Sequence, residues 1–323
     1  MKVFSLVEPS PAKNLLPVWE RLLEEGWEVT VYGHGRGVEV LKWEGIETER
    51  LGKPRRRQGL LGYVGFSVDL IRTVRALASE RASVVLSSGN TGDARKSLIA
   101  SRILGIPSVH LEMDVYNPVE AVRWATHVLV PFSERWAEVL ERRAGVETEV
   151  VSGAPLAQYL ADRHLSGRIP GPVPEEYEGR VLVCLGGDIT EEGARRLLLD
   201  LEDHDPVVVP FRVSPPEGFE CVREFVDLPG VMMLADTVVF TGGFGVTIEA
   251  CVVAKKAVKV SEVHPTHLSH WIAEESGVPV MYLSESSGTE DAVQMASKPR
   301  GEWLIKRGRS AVAEIVEEIF KVE

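Results

Sequence analysis

Side-chain amides are scarce in this sequence: Asn14, Asn90, Asn117, Gln58, Gln158 and Gln294 are the six in 323 residues. Asn and Gln are thermolabile, and their depletion points to a thermophilic source. Cysteine is scarcer still. Cys184, Cys221 and Cys251 stand far apart without metal-ligand spacing, and Cys184 lies in an apolar run. Cys184 reads as a buried free thiol, which fits a reducing cytoplasm. No apolar run approaches the roughly 18–20 residues of a membrane span. The opening Met1–Glu8 segment is too soon interrupted for a signal peptide and reads as a first strand. Positive charge is in deficit, 36 Lys and Arg against 48 Asp and Glu for a net −12. A general nucleic-acid binder is excluded on that ground, because neutralising phosphates needs a basic footprint.

What is present is an ordinary globular composition, 44% hydrophobic and 26% charged, with length enough for two cores. Short β-branched runs alternate with helix-length amphipathic stretches. Val3–Val7, Glu28–Tyr32, Ser83–Ser87, Ile106–His110, His127–Val130 and Glu149–Val151 read as strands. Continuous apolar strands separated by helices indicate a parallel sheet covered on both faces. The rhythm breaks at the Pro/Gly stretch Gly167–Pro174, which reads as a linker. Arg180–Leu185, Pro206–Val209, Thr237–Phe240, Ala257–Val260 and Pro279–Leu283 then repeat the pattern, with a last helix at Ala311–Lys321. The expected fold is therefore α/β: two Rossmann-like, doubly wound parallel-sheet domains facing a cleft. Residues 1–166 form the first domain, 167–179 the linker and 180–323 the second, whose last helix is able to pack back on the first. Ligands of open α/β sheets bind at strand carboxyl ends, which here point into the cleft.

Four segments carry candidate chemistry. In Phe240–Glu249, Gly242, Gly243 and Gly245 allow a tight turn into a helix whose free N–H groups and dipole suit a diphosphate. Glu249 then reaches toward ribose hydroxyls, or is simply an exposed first-turn glutamate. Gly186, Gly187 and Asp188 leave the first strand of the second domain similarly, with Thr190 as a helix cap. His264, Thr266, His267 and His270 follow the strand Ala257–Val260. Their spacing does not favour a metal, and ligand recognition by Thr266 or His267 competes with a solvated helix start. In the first domain Glu8, His110, Glu112 and Asp114 lie at strand carboxyl ends, where a general base belongs. Taken singly, each reads more readily as a structural hydrogen-bonder.

Arg50, Lys53, Arg55, Arg56 and Arg57 precede Leu60, Leu61, Tyr63, Val64 and Phe66. This basic-then-apolar stretch reads either as a contact with an anionic membrane surface or as a basic loop before a buried helix. Gly59, Gly62 and Gly65 make it a poor helix by propensity.

These segments resemble the GT-B glycosyltransferases, and within them the MurG-type enzymes that add N-acetylglucosamine to a lipid-linked acceptor in peptidoglycan synthesis. Ala82–Gly89 through Leu104–His110 is similar to that family's DVVLGxGG and LGIPxxxHEQN stretches, and Val151–Pro155 to its GNP. Leu234–Ala250 resembles ADxVxxRxGxxTxxE, and His264–Gly277 occupies the place of the donor-sugar loop. The resemblance implies an inverting transfer of N-acetylglucosamine or a related hexosamine from a UDP-sugar to a lipid-linked or membrane acceptor of the cell envelope, with no metal or other cofactor. It implies a donor nucleotide at Gly186, Gly187, Gly242, Gly243, Gly245, Val246, Thr247 and Glu249, and the sugar at Thr266 and His267. Membrane contact would fall on Arg55, Arg56, Arg57, Leu60 and Leu61, making the protein peripheral on the cytoplasmic face. The pattern departs at Glu8–Lys13, which stands where the family has a Gly-rich loop, and at the donor-sugar loop, which lacks paired glutamines. Two other readings accompany it: a UDP-N-acetylglucosamine 2-epimerase of the same fold, and a non-catalytic partner that binds a nucleotide sugar.

Overall fold

The computed structural model describes residues 1–52, 60–113, 121–211, 213–263, 267–283 and 291–322, leaving aside the side chains of 60–63. Two compact units make up the chain, Met1–Tyr159 with Arg307–Glu323, and Leu160–Lys306.

Unit 1 contains β1 (Lys2–Val7), α1 (Pro9–Glu24), β2 (Glu28–Gly33), α2 (Gly37–Trp43), α3 (Leu60–Glu80), β3 (Val84–Ser88), α4 (Gly92–Leu104), β4 (Ser108–Leu111), β5 (His127–Pro131), α5 (Glu134–Ala144), β6 (Glu149–Val151) and the start of α6 (Pro155–Leu160). Its six strands are parallel in the order β2-β1-β3-β4-β5-β6. All five residues of β3 are buried, as both-face coverage requires. The expectation of a poor helix after Gly59 is corrected by α3, which starts at Leu60 and runs through Gly62 and Gly65. The reason is tertiary: Leu70, Val74 and fully buried Leu77 pack on Phe4, Leu6 and Val85. Such burial exceeds the ~1 kcal/mol each glycine costs a helix.

Unit 2 contains β7 (Val181–Leu185), α7 (Glu191–Asp200), β8 (Val207–Pro210), β9 (Glu220–Cys221), α8 (Leu228–Leu234), β10 (Thr237–Phe240), α9 (Phe244–Val253), β11 (Ala257–Ser261), α10 (Leu268–Glu275), β12 (Val280–Tyr282), α11 (Ala292–Met295) and the start of α12 (Glu302–Lys321). The strands are again parallel, in the order β12-β11-β10-β7-β8-β9. Val183, Val239, Val258 and Val260 meet Leu197 and Leu198 of α7 in one core. From Arg307 onward α12 belongs to unit 1, where Glu314 accepts the Ser152 N–H at 2.6 Å and Phe320 lies edge-on to Trp27.

The amide Asn14 is fully buried in unit 1 and joins three of its elements. Its Nδ2 donates to Ser88 Oγ at 2.8 Å, and its Oδ1 accepts the Leu156 N–H at 3.0 Å. An unmade buried hydrogen bond costs the full desolvation of the stranded group. Asn14→Ala is therefore expected to destabilise the chain by about 2–4 kcal/mol in a denaturant titration; an unchanged midpoint would contradict this role.

Candidate functional site

In open α/β sheets ligands settle at strand carboxyl ends, where the strand order reverses. In unit 2 that point is fixed by topology: β8 lies on one side of β7 and β10 on the other. Both strands leave the sheet through glycine, Gly186 after β7 and Gly242 after β10. The two turns touch backbone to backbone, since a Cβ on Gly186 would stand 2.2 Å from Gly242 Cα. Thr241 ties them, accepting the Gly186 N–H on its Oγ1 at 2.8 Å and the Asp188 N–H on its carbonyl at 3.1 Å.

Two helices begin at this point, and they differ. Thr190 Oγ1 accepts the Gly193 N–H of α7 at 3.0 Å, and Glu262 Oε2 accepts the Thr190 N–H at 2.7 Å. A Cβ on Gly193 would lie 2.1 Å from that same Glu262 oxygen. The start of α7 thus already holds a carboxylate. At α9 the cap is Gly243, with no side-chain hydrogen bond. Gly243 is exposed, and a Cβ there would meet nothing within 4 Å. Among the described residues neither packing nor a positive φ demands glycine at 243, and none stands within 4 Å of a Cβ there. An anion would meet the first-turn N–H groups and the positive dipole end of α9.

The other predicted residues of unit 2 surround that turn. Val246 packs on Gly242, Gly245 is the second residue of α9, and Thr247 Oγ1 donates to the Gly243 carbonyl at 2.9 Å. Gly187 is exposed. Glu249 is buried rather than solvated, and its charge raises the neighbouring Cys184 thiol further after burial has done most of the work. His267 caps α10, its Nδ1 accepting the Ser269 N–H at 3.2 Å. Thr266 and His264 lie outside the described residues. Further buried groups stand close by, of which Lys259 was not singled out by the sequence. Asp188 Oδ2 accepts from Ser261 Oγ at 2.8 Å and lies 3.1 Å from His270 Nε2. Lys259 donates to the Gly242 carbonyl at 2.6 Å.

Unit 1 reverses its strand order between β1 and β3. There Glu8 donates its N–H to Asp93 Oδ2 at 2.7 Å. Glu8 Oε1 lies 2.9 Å from His34 Nδ1, out of hydrogen-bonding alignment, while His34 Nε2 is 2.7 Å from Lys96 Nζ. Lys96 also donates to Asp69 Oδ2 at 3.2 Å. An ammonium only donates, so His34 Nε2 accepts and its proton sits on Nδ1, toward Glu8. Asp93 is fully buried and accepts from Thr91 as well. Burial first, and then the Glu8 charge, push its carboxyl up to about 6. His110 and Glu112 form a separate group: Ser87 Oγ is 2.8 Å from His110 Nδ1, and Glu112 Oε2 is 3.4 Å from His110 Nε2. Both are 0% exposed, whereas the Glu8 side chain is 24% exposed, so among the described carboxylates named here Glu8 is the most exposed to a solute. Asp114 and Arg55, Arg56 and Arg57 lie outside the described residues, as do the side chains of Leu60 and Leu61.

His34, Asp69, Asp93 and Lys96 were missed by the sequence reading. One signal was available: Gly33, Gly35 and Gly37 alternate around His34, and a Cβ on Gly37 would strike the Val7 carbonyl at 2.0 Å. That glycine lets the His34 loop lie against the end of β1.

Compared by sequence, the chain matches no protein-family model and no curated protein. Solved structures do match over its whole length. The UDP-GlcNAc 2-epimerase of Methanocaldococcus jannaschii in complex with UDP-GlcNAc and UDP is 14% identical at a TM-score of 0.66, over 100% of this chain and 99% of that one. The UDP-GlcNAc 2-epimerase of Neisseria meningitidis bound to UDP-GlcNAc gives 14% and 0.61 over 100% and 99%. MurG of Acinetobacter baumannii gives 14% and 0.53 over 99% and 99%. The fold is GT-B-like. At this identity the likeness establishes two Rossmann-like units and nothing finer.

The Asp93 environment has a consequence for stability. Its folded pKa lies above the unfolded carboxyl value of about 3.9, so its contribution is fullest below that value and is lost as pH rises through about 6. Asp93→Asn removes this loss. Relative to the parent, the variant is expected to gain on the order of 1–3 kcal/mol between about pH 4 and 7. Denaturation midpoints at the two pH values measure it, and parallel pH dependences would contradict it.

Proposed function

We propose that the chain is an enzyme acting on a UDP-sugar, with the diphosphate at Gly242–Val246 and the ribose toward Glu249. The observation that carries this reading is the backbone contact of Gly186 with Gly242 at the strand-order reversal, beside the open start of α9. The bound UDP-GlcNAc and UDP of the structurally similar proteins agree with it.

Epimerisation of the sugar is the first reading of the reaction, in place of the sugar transfer that the sequence favoured. The epimerases superpose on this chain more closely than MurG does. Inverting a carbon that bears hydrogen needs groups that take and return a proton near neutral pH. Asp93, its carboxyl pushed up to about 6 by burial and the Glu8 charge, is such a group, and the more accessible Glu8 stands beside it.

One observation favours transfer to a membrane-held acceptor as the second reading. Val64, Val68 and Ile71 of α3 are exposed at 54%, 43% and 53%, at the i, i+4, i+7 spacing of one helix face. Arg72 and Arg75 are exposed beside them, and the basic run 53–57 comes just before in the sequence. That combination suits a peripheral contact with an anionic surface on the cytoplasmic side. Among the described residues no helix is long and apolar enough to cross a membrane.

Incubation with UDP-N-acetylglucosamine alone separates the readings. The proton NMR spectrum is expected to show the manno isomer growing in without any acceptor. Absence of the isomer together with sugar transfer to extracted lipids would put the second reading in its place. Absence of both, with no binding of UDP, would remove the UDP-sugar assignment altogether.

A further inference from the structure

Lys259 sits in the middle of β11, a strand otherwise made of Ala257, Val258, Val260 and Ser261. The side chain is 0% exposed. Its Nζ donates to the Gly242 carbonyl at 2.6 Å and lies 5.2 Å from the centre of the Phe240 ring. No carboxylate among the described residues pairs with it. Burying an ammonium is costly, and a neutral donor would satisfy one carbonyl more cheaply. The cost is visible: burial lowers the Lys259 pKa to about 8, although Asp188 and Cys251 pull it upward.

Peptide geometry connects this cation to the open helix start. The Gly242 carbonyl and the Gly243 N–H belong to one planar trans peptide and point in opposite directions. A carbonyl held inward by Lys259 therefore aims the Gly243 N–H away from the core, at the exposed cap of α9. The same ammonium places a positive charge behind that cap, in a medium that screens it little.

We propose that Lys259 is a positioning residue for the diphosphate of the nucleotide: its buried ammonium fixes the Gly242–Gly243 peptide with the N–H toward the ligand and supplies the countercharge from behind. This rests on the nucleotide reading of the site. The titratable groups facing Lys259 come from three elements: Asp188 after β7, with His270 of α10 bonded to it, and Cys251 of α9. Glu249 of α9 and Cys184 of β7 interact nearby. Burial pushes Cys251 up to about 12 and Cys184 upward as well, so both thiols stay neutral in the range tested. A bound diphosphate favours charged Lys259, so binding takes up protons where the free lysine has begun to lose them. Affinity is then highest below about pH 8 and falls as pH rises through that value.

The test is calorimetric titration with UDP and with uridine, from about pH 7 to about pH 9, on the parent, Lys259→Met and Lys259→Gln. For the parent, UDP affinity is expected to fall several-fold across the range while uridine affinity stays level. Both variants are expected to bind UDP about tenfold more weakly at pH 7, with a level pH profile. Lys259→Gln keeps a donor without charge, so a variant that restores UDP affinity and retains the parent's slope overturns the proposal. So does a folded Lys259→Met with unchanged affinity. Should neither variant fold, proton uptake by the parent on binding UDP, measured in two buffers of different ionisation heat, decides alone, and zero uptake overturns it. A parent that binds no UDP removes the nucleotide reading itself, an outcome distinct from a parent that binds UDP indifferent to Lys259.

Discussion

A side chain at position 186 would require the Gly242 peptide to move, because a Cβ there would stand 2.2 Å from Gly242 Cα. Much of unit 2 follows from that contact. Parallel pairing of β7 with β10 brings the two strand ends level, and two glycines allow the turns to share one space. Thr241 locks them with a side-chain and a backbone hydrogen bond. Val246 and Lys259 then close on Gly242 from two sides, fixing where α9 begins.

The two helix starts beside this contact show how charge is distributed around it. Glu262 fills the start of α7, accepting from the N–H and the hydroxyl of its cap Thr190, which in turn accepts the Gly193 N–H. At the start of α9 the cap is Gly243, which has no side chain to accept a hydrogen bond, and behind it lies a buried cation. Under the proposed reading a negative ligand would thereby be directed to one helix of the pair. Unit 1 has the opposite character at its own strand reversal. Carboxylates, a histidine and a lysine are packed against one another, with Glu8 their most exposed member. Grouped and buried in this way, they suit proton transfer better than anion binding.

Much of the architecture was legible because it rests on local rules. Continuous apolar strands such as Val181–Leu185, spaced by amphipathic helices, specify covered parallel sheets. Thr190 was recognisable as a cap and Gly242–Gly245 as a turn into a helix. What stayed hidden depends on tertiary neighbours. Gly62 and Gly65 argue against a helix until Leu77 finds a core to pack into. Lys96 and Asp69 are 27 residues apart and meet across α3 and α4. Lys259 looks like a misplaced charge in a strand, and acquires meaning through the Gly242 carbonyl 17 residues upstream. The reaction was the least legible, since a common fold accommodates epimerases and transferases alike.

The central claim is that the diphosphate binds at the start of α9. Amide hydrogen exchange, read residue by residue with and without UDP, tests it most directly. The account predicts slower exchange on adding UDP at Gly243, Gly245 and Val246 in the cap and first turn of α9, and no change at Glu191–Gly193, where Glu262 already stands. Protection at the start of α7 instead, or bound UDP that leaves the α9 amides unaltered, would contradict it.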